Sequence, residues 1–330
     1  MTDPRGAVDG SPYRLRGFHE IRMKAAVVGV GKLGGAIAFA LARDPRWRSV
    51  VLTDAVEGLA EAQAEDIRHG LDARARADVA AGGLADVDGA DLVVVCAGRG
   101  RIPGGTRLDL LGTNAPIVAD VARGIGRVAP KAAVVVLTNP LDVMTALAQE
   151  TSGLPRTQVL GSGGILDSNR LRLLLARRHG VRPSEVHAIV LGEHGERAVP
   201  VLSRARVRGE PLRITKAAAE ELLEALRVSS LRVIEAKGGT VFGPAGATMV
   251  LLEALFGSTP SVVPASVVLD GEYGMRGVSV GVPARVARGR VLRVDAWDLS
   301  GAELEALRRS GRDLAKFLED ARILLQAHAG

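Results

Sequence analysis

The sequence predicts a doubly wound α/β fold whose parallel sheet is followed by an α+β part, and two observations support this. First, short apolar runs alternate with helical stretches from Lys24 onward; the runs are KAAVVGV, SVVLTD, DLVVVCAG and AAVVVLTNP. Strands covered by helices on both faces appear as continuous apolar runs rather than alternating ones. Second, the helices lengthen and the strands become sparser after about residue 160, which indicates a part of different architecture.

The elements follow in order. The helices predicted between and after the early strands run through LGGAIAFALARD, AEAQAEDIRHG, NAPIVADVARGIGRV and LDVMTALAQE. In the second part, helices are predicted through GILDSNRLRLLLARRHG, ITKAAAEELLEALRVSSLRVIEAK and GAELEALRRSGRDLAKFLEDARILLQ, with strands near SVVPASVVLD and VSVGVPARV. We expect a polar N-terminal extension over residues 1–22, a parallel-sheet domain over 23–162 and an α+β domain over 163–330.

Composition argues against several classes of function. The chain carries 43 basic and 37 acidic residues, a net charge of +6, but the basic residues are scattered and aromatic residues make up only 3%. No nucleic-acid partner is therefore predicted. No apolar stretch reaches the roughly 18 to 20 residues of a membrane span, and residues 1–22 lack the apolar core of a leader. The lone Cys96 lies in an apolar run, which suits a reducing compartment, so a cytoplasmic protein is expected.

A dinucleotide-binding turn is predicted at VVGVGKLGG. Gly29, Gly31 and Gly34 have the G-x-G-x-x-G spacing between a strand and a helix, where backbone N–H groups and the helix N-terminus can receive a pyrophosphate. Such spacing alone also occurs in ordinary glycine-rich turns. Here Asp54 ends the next strand, about 20 residues after Gly34, where a carboxylate can accept hydrogen bonds from both ribose hydroxyls. Ala55 follows and no basic residue is adjacent, so NAD is favoured over NADP and the first domain is predicted to be a Rossmann domain.

A second group of residues has the chemistry of hydride transfer from a 2-hydroxy acid. His194 in LGEHGER is predicted at a strand end, although a lone histidine is more often structural than catalytic. Asp167 and Arg170 lie three positions apart on one helix face, and Asn139 follows a strand. This chemistry needs a carboxylate that orients an imidazole, an arginine that binds the substrate carboxylate, and an amide that forms a hydrogen bond with a substrate oxygen.

In these motifs the chain resembles the L-lactate/malate dehydrogenase family, and within it most closely the lactate-dehydrogenase-like malate dehydrogenases. The resemblance covers roughly residues 24–328 and rests on VGVGKLGG, CAGRGRIPGGTRLDLLGTNAPI, TNPLDVMT, GSGGILDSNRLR, LGEHGE, KGGTVFGPA and GEYG. It implies an NAD-dependent oxidoreductase that forms a homotetramer or homodimer, with an NAD-binding domain over 23–162 and a catalytic domain over 163–330. No metal is implied, since no Cys or His cluster has ligand spacing.

The resemblance also assigns roles to single residues. His194 would be the proton acceptor, Asp167 would orient it and stabilise its charged form, and Arg107 would polarise the substrate carbonyl. The substrate would be bound by Arg101, Arg107, Asn139, Arg170 and Thr240. The cofactor would be bound by Gly29, Val30, Gly31, Lys32, Leu33, Gly34, Asp54, Gly98, Asn114, Val136, Leu137, Thr138 and Asn139.

The segment after DLVVVCAG resembles the mobile lid of this family, and Arg101 matches the position that faces the variable end of the substrate. Malate-forming members carry Arg there and lactate-forming members carry Gln. A guanidinium can bind the second carboxylate of oxaloacetate through two parallel hydrogen bonds, whereas pyruvate offers only a methyl group. Gly105 agrees with this interpretation, because lactate enzymes typically carry Glu there. A solvated loop arginine is the simpler alternative for Arg101. For Arg99 it is the main interpretation, with contact to a cofactor phosphate as the other.

Three functional hypotheses follow. The first is an NAD-dependent L-malate dehydrogenase in which Arg101 selects oxaloacetate. The second is an L-lactate or broader 2-hydroxy acid dehydrogenase, which Glu193, the GSGG before Ile165 and Thr240 would fit. The third is a catalytically silent NAD-binding protein, which has no physical need for the full set of catalytic residues.

Overall fold

The computed structural model describes residues 23–100, 107–229 and 231–329 of the chain. Its first strands are β1 (Met23–Val28), β2 (Trp47–Thr53), β3 (Asp78–Ala81), β4 (Leu92–Val95), β5 (Ala133–Val136) and β6 (Val159–Gly161). They pair in parallel in the order β3-β2-β1-β4-β5-β6. The strand order reverses between β1 and β4, which leaves a crevice at the carboxyl ends of these strands. The predicted doubly wound parallel sheet is confirmed.

Helices cover both faces of the parallel sheet. They are α1 (Lys32–Arg43), α2 (Leu59–Leu71), α3 (Arg107–Val128) and α4 (Leu141–Ser152). α1 packs against α2, and α3 packs against α4, so two separate groups of helices flank the strands. Every residue of β4 and β5 is buried, which explains their continuous apolar sequences. The sequence analysis did not predict the short strands β3 and β6, and α3 begins earlier than the helix expected from Asn114.

The second part extends the same sheet with antiparallel strands. These are β8 (Val190–Gly192), β9 (Ala198–Pro200), β12 (Ser261–Asp270), β13 (Arg276–Ala287) and β14 (Arg290–Val294). β12 pairs with β6 through Ser266 and Gly161, and the order continues β12-β13-β8-β9, with β14 beside β13. The strands predicted in this part appear as β12 and β13. The two parts therefore share one continuous sheet, which sequence periodicity alone did not indicate. A small separate sheet consists of β7 (Val186–His187), β10 (Arg206–Val207) and β11 (Glu210–Pro211).

The remaining helices are α5 (Gly163–His179), α6 (Lys216–Val228), α7 (Leu231–Lys237), α8 (Phe242–Leu255) and α9 (Gly301–Ala329). The single helix predicted through ITKAAAEELLEALRVSSLRVIEAK is described as two, α6 and α7. The sequence analysis did not predict α8, because Gly243 and Pro244 interrupt its start. Both residues fall in the first turn, where a missing N–H breaks no hydrogen bond within the helix. Among the described residues, no helix is long and apolar enough to cross a membrane.

The core joins the two parts and fixes the strand ends that carry the site. Trp47 of β2 is fully buried and makes an edge-to-face contact with Phe256, which directly follows α8, with 5.1 Å between ring centroids. α5 packs against both β12 and α8, and α4 packs against β12 and β13. The carboxyl ends of β1, β2, β4 and β5 and the end of β8 are thus supported from both parts of the chain.

Candidate active site

The predicted dinucleotide turn connects β1 to α1 with little space between them. Gly29 has φ of +89°, and a Cβ at this position would lie 2.4 Å from the backbone nitrogen of Ala97 on the neighbouring strand end. A Cβ on Gly34 would lie 2.0 Å from the carbonyl oxygen of Gly29. Only glycine fits at both places, and the N-terminus of α1 consequently lies directly against the end of β1. This is a cradle into which a pyrophosphate can approach the backbone closely.

Asp54 lies beside this turn, as the spacing predicts. Its Oδ2 accepts the backbone N–H of Val30 at 2.7 Å, and its Oδ1 accepts the backbone N–H of Val56 at 2.9 Å. The Gln63 side chain of α2 donates to the carbonyl oxygen of Val30 at 2.9 Å. The carboxylate is therefore held at the mouth of the turn, and each of its oxygens retains a lone pair that can accept a hydroxyl proton.

A second group of predicted cofactor residues meets at the carboxyl ends of β4 and β5. The Asn114 side chain is fully buried and accepts the N–H of Arg99 at 2.7 Å. It also donates to the carbonyl oxygens of Arg99 and Asn139 at 3.0 and 2.7 Å. Thr138 donates to the carbonyl oxygen of Ala97 at 2.7 Å. Asn114 thus joins the loop after β4 to the loop after β5.

Gly98 lies where these two loops approach each other most closely. It has φ of +150°, and a Cβ here would lie 2.6 Å from the Thr138 methyl carbon and 3.0 Å from the Asn114 amide oxygen. Val136 ends β5, and Leu137 and Thr138 follow it as buried residues, whereas Asn139 is exposed. The structure therefore brings Gly98, Asn114 and the residues from Val136 to Asn139 together at one rim of the crevice.

The acid–base group is assembled from the end of β8 and from α5. His194 Nδ1 lies 2.7 Å from Asp167 Oδ2, and Arg170 Nη1 donates to Asp167 Oδ1 at 2.9 Å. One carboxylate thus holds the imidazole with one oxygen and the guanidinium with the other. The Asp167 side chain is only 7% exposed, whereas those of His194 and Arg170 are 18% and 19% exposed. The imidazole and the guanidinium can therefore be reached from the crevice while the carboxylate between them stays protected.

This arrangement sets the protonation of His194. Burial by itself would lower the pKa of the imidazole, but the charge and hydrogen bond of Asp167 and the charge of Asp142 outweigh it, so the pKa of His194 lies above its ordinary value. An ionised Asp167 can only accept a hydrogen bond, so Nδ1 carries the proton. Nε2 is then the nitrogen that can take up or release a proton.

Some predicted residues are only partly described or lie apart. Arg101 lies outside the described residues, and Arg107 is the first residue of α3, without a described side chain. Thr240 is half-buried in the connection between α7 and α8, and its role stays a prediction. Lys32 and Leu33 open α1 beside the glycine turn. Among the described residues, no group of three or more His, Cys, Asp or Glu side chains is placed to hold a metal ion.

Sequence reasoning missed two residues that shape the site. Gln63 fixes the carbonyl of Val30 in the glycine turn from the helix that follows β2. Asp142 lies in the first turn of α4, is 2% exposed, and accepts the backbone N–H of His194 at 2.8 Å. An acidic residue in the stretch LDVMTALA, which carries no other charge, was a signal that could have singled out Asp142.

Comparison with known proteins assigns the chain to a family. Residues 23–161 match the family model for the lactate/malate dehydrogenase NAD binding domain, and residues 165–323 match the model for the lactate/malate dehydrogenase alpha/beta C-terminal domain. The chain belongs to the lactate/malate dehydrogenase family. It is an NAD-dependent oxidoreductase, and the sequence-based expectations of this family and of NAD as cofactor are confirmed.

Members of the family with either substrate name are similar to this chain. A malate dehydrogenase of Trichormus variabilis is 38% identical over 302 residues, which cover 90% of this chain and 93% of that protein. The crystal structure of malate dehydrogenase from Cryptosporidium parvum is 31% identical with a TM-score of 0.87, covering 92% of this chain and 99% of that one. The lactate dehydrogenase of the same organism, in complex with lactic acid and β-nicotinamide adenine dinucleotide, is 34% identical with a TM-score of 0.85, covering 92% and 98%.

The Asp54 carboxylate gives a test of cofactor choice. If it receives the ribose hydroxyls, Asp54→Ala removes two charge-assisted hydrogen bonds, and we expect the KM for NADH to rise about a hundredfold or more. The KM for NADPH should rise less. The substitution removes the carboxylate that accepts the ribose hydroxyls, but the same carboxylate also repels a 2′-phosphate. The measurement is the KM of each cofactor at a saturating concentration of the 2-oxo acid substrate. Glu57→Gln removes an exposed carboxylate three residues away and should leave both values unchanged. An unaltered KM for NADH in Asp54→Ala would contradict the assignment.

Proposed function

We propose that this protein is an NAD-dependent malate dehydrogenase, which catalyses reversible hydride transfer between L-malate and NAD to give oxaloacetate and NADH. The observation that carries the chemistry is the Asp167 carboxylate, which holds the His194 imidazole and the Arg170 guanidinium at 2.7 and 2.9 Å. An acid–base group beside a carboxylate-binding group is what a 2-hydroxy acid requires. The choice of malate rests on Arg101 and on similarity to relatives that carry the name malate dehydrogenase.

His194 exchanges the proton of the substrate hydroxyl. With Nδ1–H donating to Asp167, the lone pair of Nε2 accepts this proton as the alcohol is oxidised, and the resulting imidazolium is stabilised by the carboxylate. In the reverse direction the imidazolium returns the proton to the oxygen that was the carbonyl. NAD, when bound, accepts or returns the hydride. Because the pKa of His194 is raised, the protonated form that reduction needs persists to higher pH than in an isolated imidazole.

Arg170 is proposed to bind the carboxylate next to the reacting carbon. Its Nη1 is engaged with Asp167, while Nε and Nη2 retain N–H groups that can form two parallel hydrogen bonds to a carboxylate. Because Asp167 also holds His194, the same contact fixes the spacing between the bound carboxylate and the proton acceptor. Arg107 is proposed to place positive charge where alkoxide character develops, with Asn139 as a hydrogen-bond partner of the substrate oxygen.

Three further assignments belong to this proposal. Residues 23–162 act as the NAD-binding domain and residues 163–330 as the catalytic domain. The protein assembles as a homotetramer or homodimer, an assignment that rests on family resemblance alone. It works in the cytoplasm, where its lone cysteine stays reduced; burial raises the pKa of the Cys96 thiol to about 12, which keeps this group protonated and unreactive.

The second candidate is an L-lactate or broader 2-hydroxy acid dehydrogenase. The specific observation in its favour is the similarity to the Cryptosporidium parvum lactate dehydrogenase, which is as extensive as the similarity to the malate dehydrogenase of that organism. His194, Asp167 and Arg170 serve both substrates equally, since both carry a carboxylate next to the hydroxyl carbon. The two candidates therefore differ only at the group that meets the far end of the substrate.

The experiment that separates them compares kcat/KM for oxaloacetate and for pyruvate, each with NADH on the same preparation. We expect oxaloacetate to be preferred by about a hundredfold or more, since an unpaired buried guanidinium costs roughly 3 to 5 kcal/mol. Equal values, or a preference for pyruvate, would exclude the malate assignment and favour the second candidate. Absence of activity with both substrates would exclude malate and lactate and favour another 2-hydroxy acid as the substrate of this oxidoreductase.

A further inference from the structure

A second buried carboxylate, that of Asp142, contacts His194 at its backbone. Asp142 Oδ2 accepts the backbone N–H of His194 at 2.8 Å, while Asp167 Oδ2 contacts the ring at Nδ1. The two contacts come from different helices, α4 and α5. His194 is thus held by one carboxylate at its backbone and by another at its imidazole.

Asp142 is itself fixed by a chain of hydroxyl groups from the extended sheet. Ser266 of β12 donates from Oγ to Asp142 Oδ1, and Ser279 Oγ of β13 lies 2.8 Å from Ser266 Oγ. Both serines are 1% exposed. Because Ser266 donates its proton to Asp142, the Ser266 oxygen is left to accept from Ser279. Helix α4, the end of β8 and both strands therefore meet at this carboxyl group.

The charges around His194 come from each element packed against it. α4 supplies Asp142, and α5 supplies Asp167 with Arg170, which oppose each other in charge. The segment after β8 supplies Glu193 and Arg197, whose Oε2 and Nη1 atoms lie 3.3 Å apart. Arg197 Nε also lies 3.0 Å from Asp313 Oδ2 of α9. β12 and β13 contribute the neutral hydroxyls of Ser266 and Ser279. Asp142 is thus a buried acid, and its described hydrogen bonds come from an uncharged hydroxyl and from a backbone N–H.

Burial raises the pKa of the Asp142 carboxyl, and the hydrogen bonds from Ser266 and His194 oppose this shift without cancelling it. In turn the negative charge of Asp142 is one of the causes that raise the pKa of His194. Burial opposes ionisation of this carboxyl, so its ionised form lowers the stability of the fold as the pH rises above the pKa of the unfolded group. Its placement therefore suggests a benefit to the reaction rather than to the fold.

We propose that Asp142 is a positioning residue for the proton acceptor: it anchors the backbone of His194 and contributes a second negative charge that favours the imidazolium. This rests on the proposed role of His194 in proton transfer. The imidazole keeps its alignment through Asp167, and the affinity of Nε2 for the proton is set by both carboxylates together. Asp142 acts only through His194 and does not touch the substrate.

Two substitutions separate the anchor from the charge. In Asp142→Asn, the amide oxygen can still accept the His194 N–H and the amide nitrogen can donate to Ser266, so the charge is lost while the contacts remain. In Asp142→Leu, both the contacts and the charge are lost within a similar volume. Glu150→Gln is the matched control, because Glu150 lies in the last turn of the same helix and pairs with Arg322 at the surface.

The first measurement is an NMR titration of 13C-labelled histidine side chains in the protein without cofactor. The chain has six histidines, and the His194 signal is assigned by its loss in His194→Gln. We expect the pKa of His194 to be lower in Asp142→Asn than in the parent protein and unchanged in Glu150→Gln. The second measurement is the pH profile of oxaloacetate reduction, whose falling limb should move to lower pH in Asp142→Asn with little change at its acidic end. Asp142→Leu should lose about a hundredfold in kcat at every pH, the cost of a misplaced catalytic group.

The melting temperature tests whether the residue serves only the fold. Since burial raises the pKa of the Asp142 carboxyl, its ionisation opposes folding at neutral pH, so Asp142→Asn should melt at or above the parent temperature there. A lower melting temperature together with an unshifted His194 titration would overturn the proposal and leave a structural residue. If instead His194→Gln retained activity, the proposed function would fail, while the titration would still report whether Asp142 acts on His194.

Discussion

Replacement of His194 by glutamine is expected to lower kcat about a thousandfold in both directions, the middle of the range for loss of a general acid or base. A glutamine amide can occupy the site of the imidazole and accept a hydrogen bond from a hydroxyl group. It cannot hold a proton at neutral pH, so the step at Nε2 has no substitute. The measurement is kcat for oxaloacetate reduction and for malate oxidation at several pH values, and the parent pH limb assigned to His194 should vanish in the variant.

The control for this experiment is His187→Gln. His187 is an exposed histidine in β7, away from Asp167, and its replacement should leave both rates unchanged. NADH binding, followed by cofactor fluorescence, should be the same in the parent and in His194→Gln, because the glycine turn and Asp54 lie on other strand ends. A His194→Gln variant that keeps a tenth or more of the parent kcat would rule out this residue as the proton acceptor.

Local patterns in the sequence were enough to predict the groups that meet at the carboxyl ends of the parallel strands. The strand–turn–helix spacing predicts Gly29 and Gly34, and the end of the next strand predicts Asp54. In the structure both glycines lie in one tight turn, and Asp54 accepts a hydrogen bond from Val30 of that turn. Asp167 and Arg170 share one helix face by their three-residue separation, and the ion pair between them is present. These relations depend on spacings of a few residues or on the strand order of a doubly wound sheet, so they can be predicted without the structure.

What the sequence did not reveal depends on contacts between distant parts of the chain. Asp142 and Ser266 are 124 residues apart and meet because β12 returns to pair with β6. The same pairing makes the sheet continuous across the predicted domain division, which no periodicity within either half could indicate. α8 was missed for a local reason instead, since its glycine and proline are breakers in a helix interior but harmless in a first turn.

The described contacts of Asn114 differ in kind from its predicted role. Family resemblance assigns it to the cofactor, and its position at the rim of the crevice agrees with that assignment. The hydrogen bonds described for its side chain, however, all go to the backbone of Arg99 and Asn139. Asn114 therefore fixes the base of the segment that carries Arg101 to the loop that carries Asn139. The geometry of the loop after β4 and that of the Asn139 loop therefore depend on one buried amide.

Substitution of Arg101 by glutamine has the largest expected effect on substrate choice. Arg101 lies outside the described residues, so the argument rests on its place in RGRIPGGTR and on charge. If the guanidinium pairs with the second carboxylate of oxaloacetate, Arg101→Gln replaces two charge-assisted hydrogen bonds with a neutral amide and removes the unpaired charge that disfavours pyruvate. The ratio of kcat/KM for oxaloacetate to that for pyruvate should then fall by about two to four decades.

The matched control is Arg99→Gln, two residues earlier in the same segment. Arg99 is exposed, and its described contacts with Asn114 are made by its backbone, so the substitution removes an equal charge without disturbing that anchor. We expect its substrate ratio to equal that of the parent, which would show that general electrostatic attraction of a dianion does not account for the Arg101 effect. An increase in kcat/KM for pyruvate in Arg101→Gln, alongside the loss with oxaloacetate, would identify a side chain that selects the substrate rather than a general loss of activity. An unchanged ratio in Arg101→Gln would instead mean that this arginine stays in solvent, and substrate choice would then have to be sought at Thr240 and Glu193.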